Sequence, residues 1–173
     1  MLHRFDRFSD LDPRKLMDIY AEGNLENTDY FFPELTDKAE AVKKVEENFL
    51  KYLERDFFHT PNPSYWVLEE DGRWVSALRL NELKPGFYYL EALETRPDCR
   101  RKGCSFRLLT EVIEALKKQG HFEIHDCVGK KNKASLRTHQ KCGFQIVAED
   151  GYDYLSQEAS VFVHGLAYTY EGE

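Results

Sequence analysis

The period of the hydrophobic positions changes several times along the 173 residues, and each change marks an element. Leu2 to Phe8 reads as a first strand. Asp12 then caps a helix that has Pro13 at its first position, a start signal because proline lacks the N–H that a helix start cannot use. A second helix is predicted from about Thr36 to Phe57, with Val42, Val45, Phe49 and Leu53 as its apolar stripe; the stretch His59 to Pro63 breaks it. Tyr65 to Glu70 and Trp74 to Asn81 form a hairpin across Asp71-Gly72. The turn Lys84-Pro85-Gly86 leads into Phe87 to Thr95, a strand rich in Phe, Tyr and Leu. Beyond it Phe106, Leu109, Ile113 and Leu116, widened by Val112, recur at helical spacing opposite Arg107, Glu111, Glu114 and Lys117. Lys117, Lys118 and Gly120 close that helix. A strand from Phe122 to Cys127, a helix opened by Asn132, and strands Phe144 to Ala148 and Val161 to Tyr170 complete the chain. The order β-α-α-β-β-β-α-β-α-β-β predicts an α/β fold in a single domain over residues 1–173.

The junction between the Phe87–Thr95 strand and the following helix carries the chemistry. Leu93-Glu94-Thr95-Arg96-Pro97-Asp98-Cys99-Arg100-Arg101-Lys102-Gly103-Cys104-Ser105-Phe106 is a strand running through a basic, Gly-containing turn into a helix. Such a turn aims free backbone N–H groups and the positive end of a helix dipole at one spot, where an anion such as a diphosphate belongs. One glycine excludes the P-loop, which needs two, and the Rossmann fingerprint, which needs three. What remains is Arg-x-x-Gly-x-Ser, at Arg100, Gly103 and Ser105.

That pattern resembles motif A of the GCN5-related N-acetyltransferases, whose usual form is Gln/Arg-x-x-Gly-x-Gly/Ala; Ser105 departs from its last position. Asn132-Lys133-Ala134-Ser135-Leu136-Arg137-Thr138-His139-Gln140-Lys141-Cys142-Gly143-Phe144 resembles the same family's motif B, in the family's order and separation. The resemblance spans roughly residues 64 to 149. It implies a mixed, mostly antiparallel sheet splayed between strands 4 and 5 and flanked by about four helices. It also implies acetyl-CoA as co-substrate and acetyl transfer to a primary amine by direct attack. Backbone amides around Arg101, Gly103, Cys104 and Ser105 would cradle the diphosphate, with Arg100, Arg101 and Lys102 adding charge. Leu93 and Thr95 would offer main-chain hydrogen bonds to the pantetheine arm, and Asn132 would cap its helix and contact the same arm or ordered water. Tyr89 stands where some relatives place a catalytic Glu, so Glu91 becomes the candidate base, with Glu94 on the opposite face by strand alternation. His139 occupies the place of the family's usual Tyr acid and is the candidate proton donor to the leaving thiolate.

Charge narrows the partners. Arg96 to Lys141 holds twelve Lys/Arg against five Asp/Glu in a chain of net charge −7, and no Lys or Arg follows Cys142. A basic middle suits a polyphosphate ligand. The acidic and aromatic segments Glu22 to Asp37 and Glu149 to Ser160 suit a small cationic amine or a peptide amine. Overall acidity disfavours nucleic acid. No run approaches a membrane span and the start lacks an apolar signal region, so a cytoplasmic protein with reduced Cys99, Cys104, Cys127 and Cys142 is expected. His121, Glu123 and His125 alternate along one strand without a further ligand, and no metal is expected. A homodimer is compatible with the resemblance. A catalytically silent acyl-CoA-binding sensor is the alternative to an enzyme.

Overall fold

The predicted order stands, with additions, in the computed structural model, which describes residues 1–172. Its elements are β1 (Leu2–Phe5), α1 (Pro13–Ile19), α2 (Ala21–Glu26), α3 (Thr28–Phe31), α4 (Lys38–Arg55), β2 (Pro63–Glu70), β3 (Arg73–Lys84), β4 (Phe87–Thr95) and α5 (Cys104–Lys117). β5 (Phe122–Gly129), α6 (Lys133–Lys141), β6 (Gln145–Ala148), β7 (Gly151–Asp153), β8 (Glu158–Ser160) and β9 (Val163–Tyr170) follow. Where the sequence reads a loop between the first two helices there are two short helices, α2 and α3. The acidic segment before the last strand folds into a hairpin of its own, β7–β8. Elements of three to six residues lie below the length at which periodicity can be seen.

Seven strands form one sheet in the order β1-β2-β3-β4-β5-β9-β6. Every neighbouring pair is antiparallel except β4 and β5, which the crossover helix α5 makes parallel. One face packs Leu78, Leu80, Leu90, Ile124 and Leu166 against Leu108, Leu109, Val112 and Ile113 of α5 and Leu136 of α6. The other packs Tyr65, Val67 and Ala77 against Leu16 and Ile19 of α1, Leu53 of α4 and Phe57. Each fully buried Leu or Ile contributes about 1.5–3 kcal/mol. Leu108 takes the core place expected for Phe106, which stays 41% exposed.

Two irregularities of β4 shape the centre of the sheet. Its pairing with β5 begins at Phe87↔Glu123 and ends at Leu90↔Asp126, so the strands separate beyond that point. Its pairing with β3 jumps from Arg79↔Glu91 to Ala77↔Glu94, which sets Ala92 and Leu93 against Leu78 alone: a β-bulge. Ala92 sits at φ +52°, a left-handed conformation that costs a residue with a Cβ about 1–2 kcal/mol. The extra residue also reverses the alternation, so Glu94 turns to the α2 side and not to the face opposite Glu91. Its carboxylate pairs with Arg100, which in turn pairs with Glu22 of α2.

Candidate active site

The four helices of seven residues or more differ in one respect at their starts. α1 is capped by Asp12, α4 by Asp37 and α6 by Asn132, each side chain accepting from backbone N–H groups of the first turn. No side chain caps α5. Its N-cap is Gly103 at φ +77°, two residues after Arg101 at φ +59°. Successive left-handed and helical residues make backbone N–H groups converge into a concavity that favours anions. A Cβ added at Gly103 would meet nothing within 4 Å, so the space over it is open. The α5 start thus has the donors and the room for a phosphate, and its own side chains leave them free.

This helix start forms one end of a cavity of about 870 Å³ running between β4, α5 and α6. Leu93, Thr95, Arg100, Arg101, Gly103, Cys104, Ser105 and Asn132 all line it; Lys102 does not. Lys102 instead donates its ammonium to the Asp98 carbonyl at 3.0 Å. Arg137, Thr138 and Lys141 of α6 line the cavity as well. Their signal was present in the sequence as basic residues one helical turn apart, hidden inside a motif read for its Asn and Gly-Phe ends. Ser105 and Thr95 share a hydroxyl contact across the strand-to-helix turn, which ties the start of α5 to β4. The Thr95 N–H donates to the Glu94 carboxylate at 3.1 Å. That leaves Leu93 as the better main-chain partner of the two expected.

The Asn132 cap reading stands: its side-chain oxygen accepts from the Ser135 N–H at 3.1 Å. His139 requires a correction. Its side chain is fully buried on the core side of α6, edge-on to Phe144, with Nε2 2.7 Å from Asp126 Oδ2 and Nδ1 2.9 Å from the Ser135 carbonyl. The Asp126 contact is close but poorly aligned as a hydrogen bond. Burial opposes the charged imidazole, yet the Asp126 carboxylate outweighs it and raises the His139 pKa; burial raises that of Asp126. The residue fastens α6 to β5 and is not among those lining the cavity where a leaving thiolate was expected. A carboxylate thirteen positions earlier, on a neighbouring strand, is what draws it inward.

On the other side of the opening lies the second half of the site. Tyr89 and Glu91 share this face, and the β7–β8 hairpin folds over it. Tyr154 packs edge-on against Phe87, Tyr89, His125 and Tyr152 at ring distances of 5.1–5.6 Å. Gly151 lets the hairpin come this close, since a Cβ there would fall 2.8 Å from Cys127 Sγ. Glu91 is largely buried, 3.7 Å from the Arg79 guanidinium across the β3–β4 ladder. Burial raises its pKa, Arg79 pulls it back, and Asp153 and Asp126 push it up again. Arg79 itself lies over the rings of Tyr52 and Phe57 at 5.3 and 5.2 Å, and its Nε and one Nη have no hydrogen-bond partner among the described residues. The sequence reading missed Arg79, although an arginine in the middle of the buried run Trp74 to Leu80 was a legible signal.

Comparison with known proteins places this geometry. A model of the acetyltransferase (GNAT) family matches residues 24–144. No curated protein sequence matches the chain significantly. Among solved structures, the PaiA N-acetyltransferase of Thermoplasma acidophilum in complex with coenzyme A is similar at a TM-score of 0.61 and 15% identity, over 98% of this chain and 99% of that one. The ribosomal-protein-S18-alanine N-acetyltransferase of Escherichia coli is similar at 0.58 and 16%, over 100% and 96%. The Campylobacter jejuni N-acetyltransferase PseH in complex with acetyl coenzyme A is similar at 0.58 and 15%, over 98% and 99%.

Proposed function

The chain belongs to the acetyltransferase (GNAT) family, and we propose that it transfers an acetyl group from acetyl-CoA to a primary amine by direct attack, the acceptor being a small cationic amine or a peptide amine. The observation that carries this reading is the uncapped, glycine-led start of α5 opening on a cavity lined by Arg100, Arg101, Arg137 and Lys141. These residues fit coenzyme A: backbone donors and the helix dipole for the diphosphate, guanidinium and ammonium groups for further phosphate charge, and the apolar surface of Leu93 and Ala134 for the pantetheine arm. Solved structures of this fold hold coenzyme A or acetyl coenzyme A.

Acetyl-CoA supplies an activated thioester, and the protein's part is to orient it and to deprotonate the amine. An ammonium cannot attack, so a base must take its proton. Glu91 is placed for this on the acceptor face. Burial raises its pKa and makes it a stronger base than an exposed carboxylate, while the Arg79 guanidinium favours its ionised form. Tyr152, 43% exposed, and Tyr154 beside it offer aromatic rings, and Glu91 and Asp153 negative charge, to a cationic acceptor. Attack at the thioester carbon puts negative charge on the carbonyl oxygen, which a backbone N–H of the β4 bulge would stabilise.

A thiol-release assay over a broad panel of amines tests this. Turnover confined to amines that keep a positive charge near the reacting nitrogen is expected. Tight acetyl-CoA binding without turnover on any amine would indicate a sensor, and turnover with anionic acceptors alone would refute the acceptor class.

A further inference from the structure

The β4 bulge is held from outside the sheet. Ala92, in its left-handed conformation, turns its carbonyl towards the corner between α1 and α2, where the Tyr20 hydroxyl donates to it at 2.9 Å. The Tyr65 hydroxyl donates in turn to Tyr20 at 2.7 Å. Tyr65 is fully buried and the Tyr20 ring packs edge-on against Phe49. Burial pushes the Tyr20 pKa up to about 12, so the hydroxyl remains a donor at any working pH. The corner is fastened on both sides of Tyr20: Asp18 pairs with Arg96 at 2.9 Å, and Glu22 with Arg100. Residues 18 to 22 are therefore bolted along residues 92 to 100 of the cofactor strand and turn.

A trans peptide holds its C=O and N–H on opposite sides, and the chain contains no cis peptide among the described residues. A carbonyl drawn to Tyr20, on the α1 side, sends the Leu93 N–H the other way. Leu93 lines the coenzyme cavity on the α5 side. We propose that Tyr20, backed by Tyr65, is a positioning residue that fixes the Ala92–Leu93 peptide so that the Leu93 N–H faces the thioester carbonyl of bound acetyl-CoA. This rests on the acetyl-transfer reading above. Nothing in local sequence preference holds Ala92 at φ +52°, so the peptide needs an external partner to stay in this orientation. Tyr20 is that partner, supplied from the acceptor side of the sheet.

The test uses acetyl-CoA labelled with carbon-13 at the thioester carbonyl, bound to the full chain and read by difference infrared spectroscopy. In the wild type the carbonyl stretch is expected at lower frequency than in free acetyl-CoA, because an aligned N–H polarises it. Tyr20→Phe keeps the ring packing and removes only the donor, so most of that shift should be lost. Tyr65→Phe should lose less. Adding Ala92→Gly to Tyr20→Phe should restore part of the shift, since glycine adopts the left-handed conformation without strain; a merely structural role for Tyr20 would give no such rescue. Calorimetry on the same samples separates the two levels of the argument. A wild type that does not bind acetyl-CoA overturns the acetyl-transfer reading and this proposal with it. A wild type that binds, with the same carbonyl shift in Tyr20→Phe, overturns the proposal alone.

Discussion

The two sides of the opening between β4 and β5 are built from different materials. On the α5–α6 side the site is mostly backbone: an uncapped helix start, a left-handed glycine and a strand edge, all within residues 93 to 105 and joined by α6. On the α1 and hairpin side it is mostly side chains gathered from distant segments: Tyr20, Tyr65, Arg79, Glu91 and Tyr154. A backbone site recognises a constant group such as a diphosphate and tolerates variation around it. A side-chain site can be rebuilt for a new acceptor without disturbing the first. Solved structures at 15–16% identity share this fold at TM-scores near 0.6.

Mutations on each side should therefore fail in different ways. Glu91→Gln is expected to produce the largest effect, a loss of about 10²–10⁴ in kcat with acetyl-CoA affinity retained, because only the proton transfer is removed. Steady-state kinetics paired with calorimetry checks it; a kcat near the wild-type value would move the base elsewhere. His139→Ala should strike the scaffold. It leaves Asp126 buried without its partner, and chemical denaturation should report a stability loss of about 3–5 kcal/mol. The pH dependence has a definite sign. The native imidazole pKa is raised above its usual value near 6.5, so the stabilisation is complete below that value and is lost as pH rises through the native pKa. The buried Asp126, also raised, pushes the same way. The wild type should lose stability as pH rises above about 6.5, and the variant should lack the share of that decline that comes from the imidazole.

Arg79→Met gives the smallest and most specific change. Arg79 holds the Glu91 pKa down against burial, so its removal should move the acid limb of the kcat profile up by about one pH unit or more. Activity falls as pH drops through this value, since Glu91 acts in its ionised form. An unmoved limb would separate Arg79 from the base.

How far the sequence could be read follows the same division. β4 was legible to the residue, because a turn signal and a long apolar run bound it, and α5 was legible because its stripe and caps are local. The Gly103 N-cap was legible for the same reason: a left-handed N-cap leaves a glycine in the sequence. The bulge at Ala92 was not, since the Tyr20 hydroxyl that bonds its carbonyl lies 72 positions away and no glycine marks it. That hidden residue reversed the predicted direction of Glu94. The burial of His139 was not legible, because it depends on Asp126, a partner on a strand that motif spacing does not reveal. The pairing of Arg79 with Glu91 depends likewise on strand register.

The central claim is that the α5 start binds acetyl-CoA through its backbone, and calorimetric titration of the wild type and Gly103→Glu tests it most directly. A side chain at Gly103 has room, so the fold should survive, but the carboxylate would stand in the anion site and the left-handed φ would be strained. The account predicts binding by the wild type and a loss of about a hundredfold or more in the variant, the scale of a forfeited charge-assisted contact replaced by repulsion. Equal binding by a folded Gly103→Glu variant, or no binding by the wild type, would contradict it.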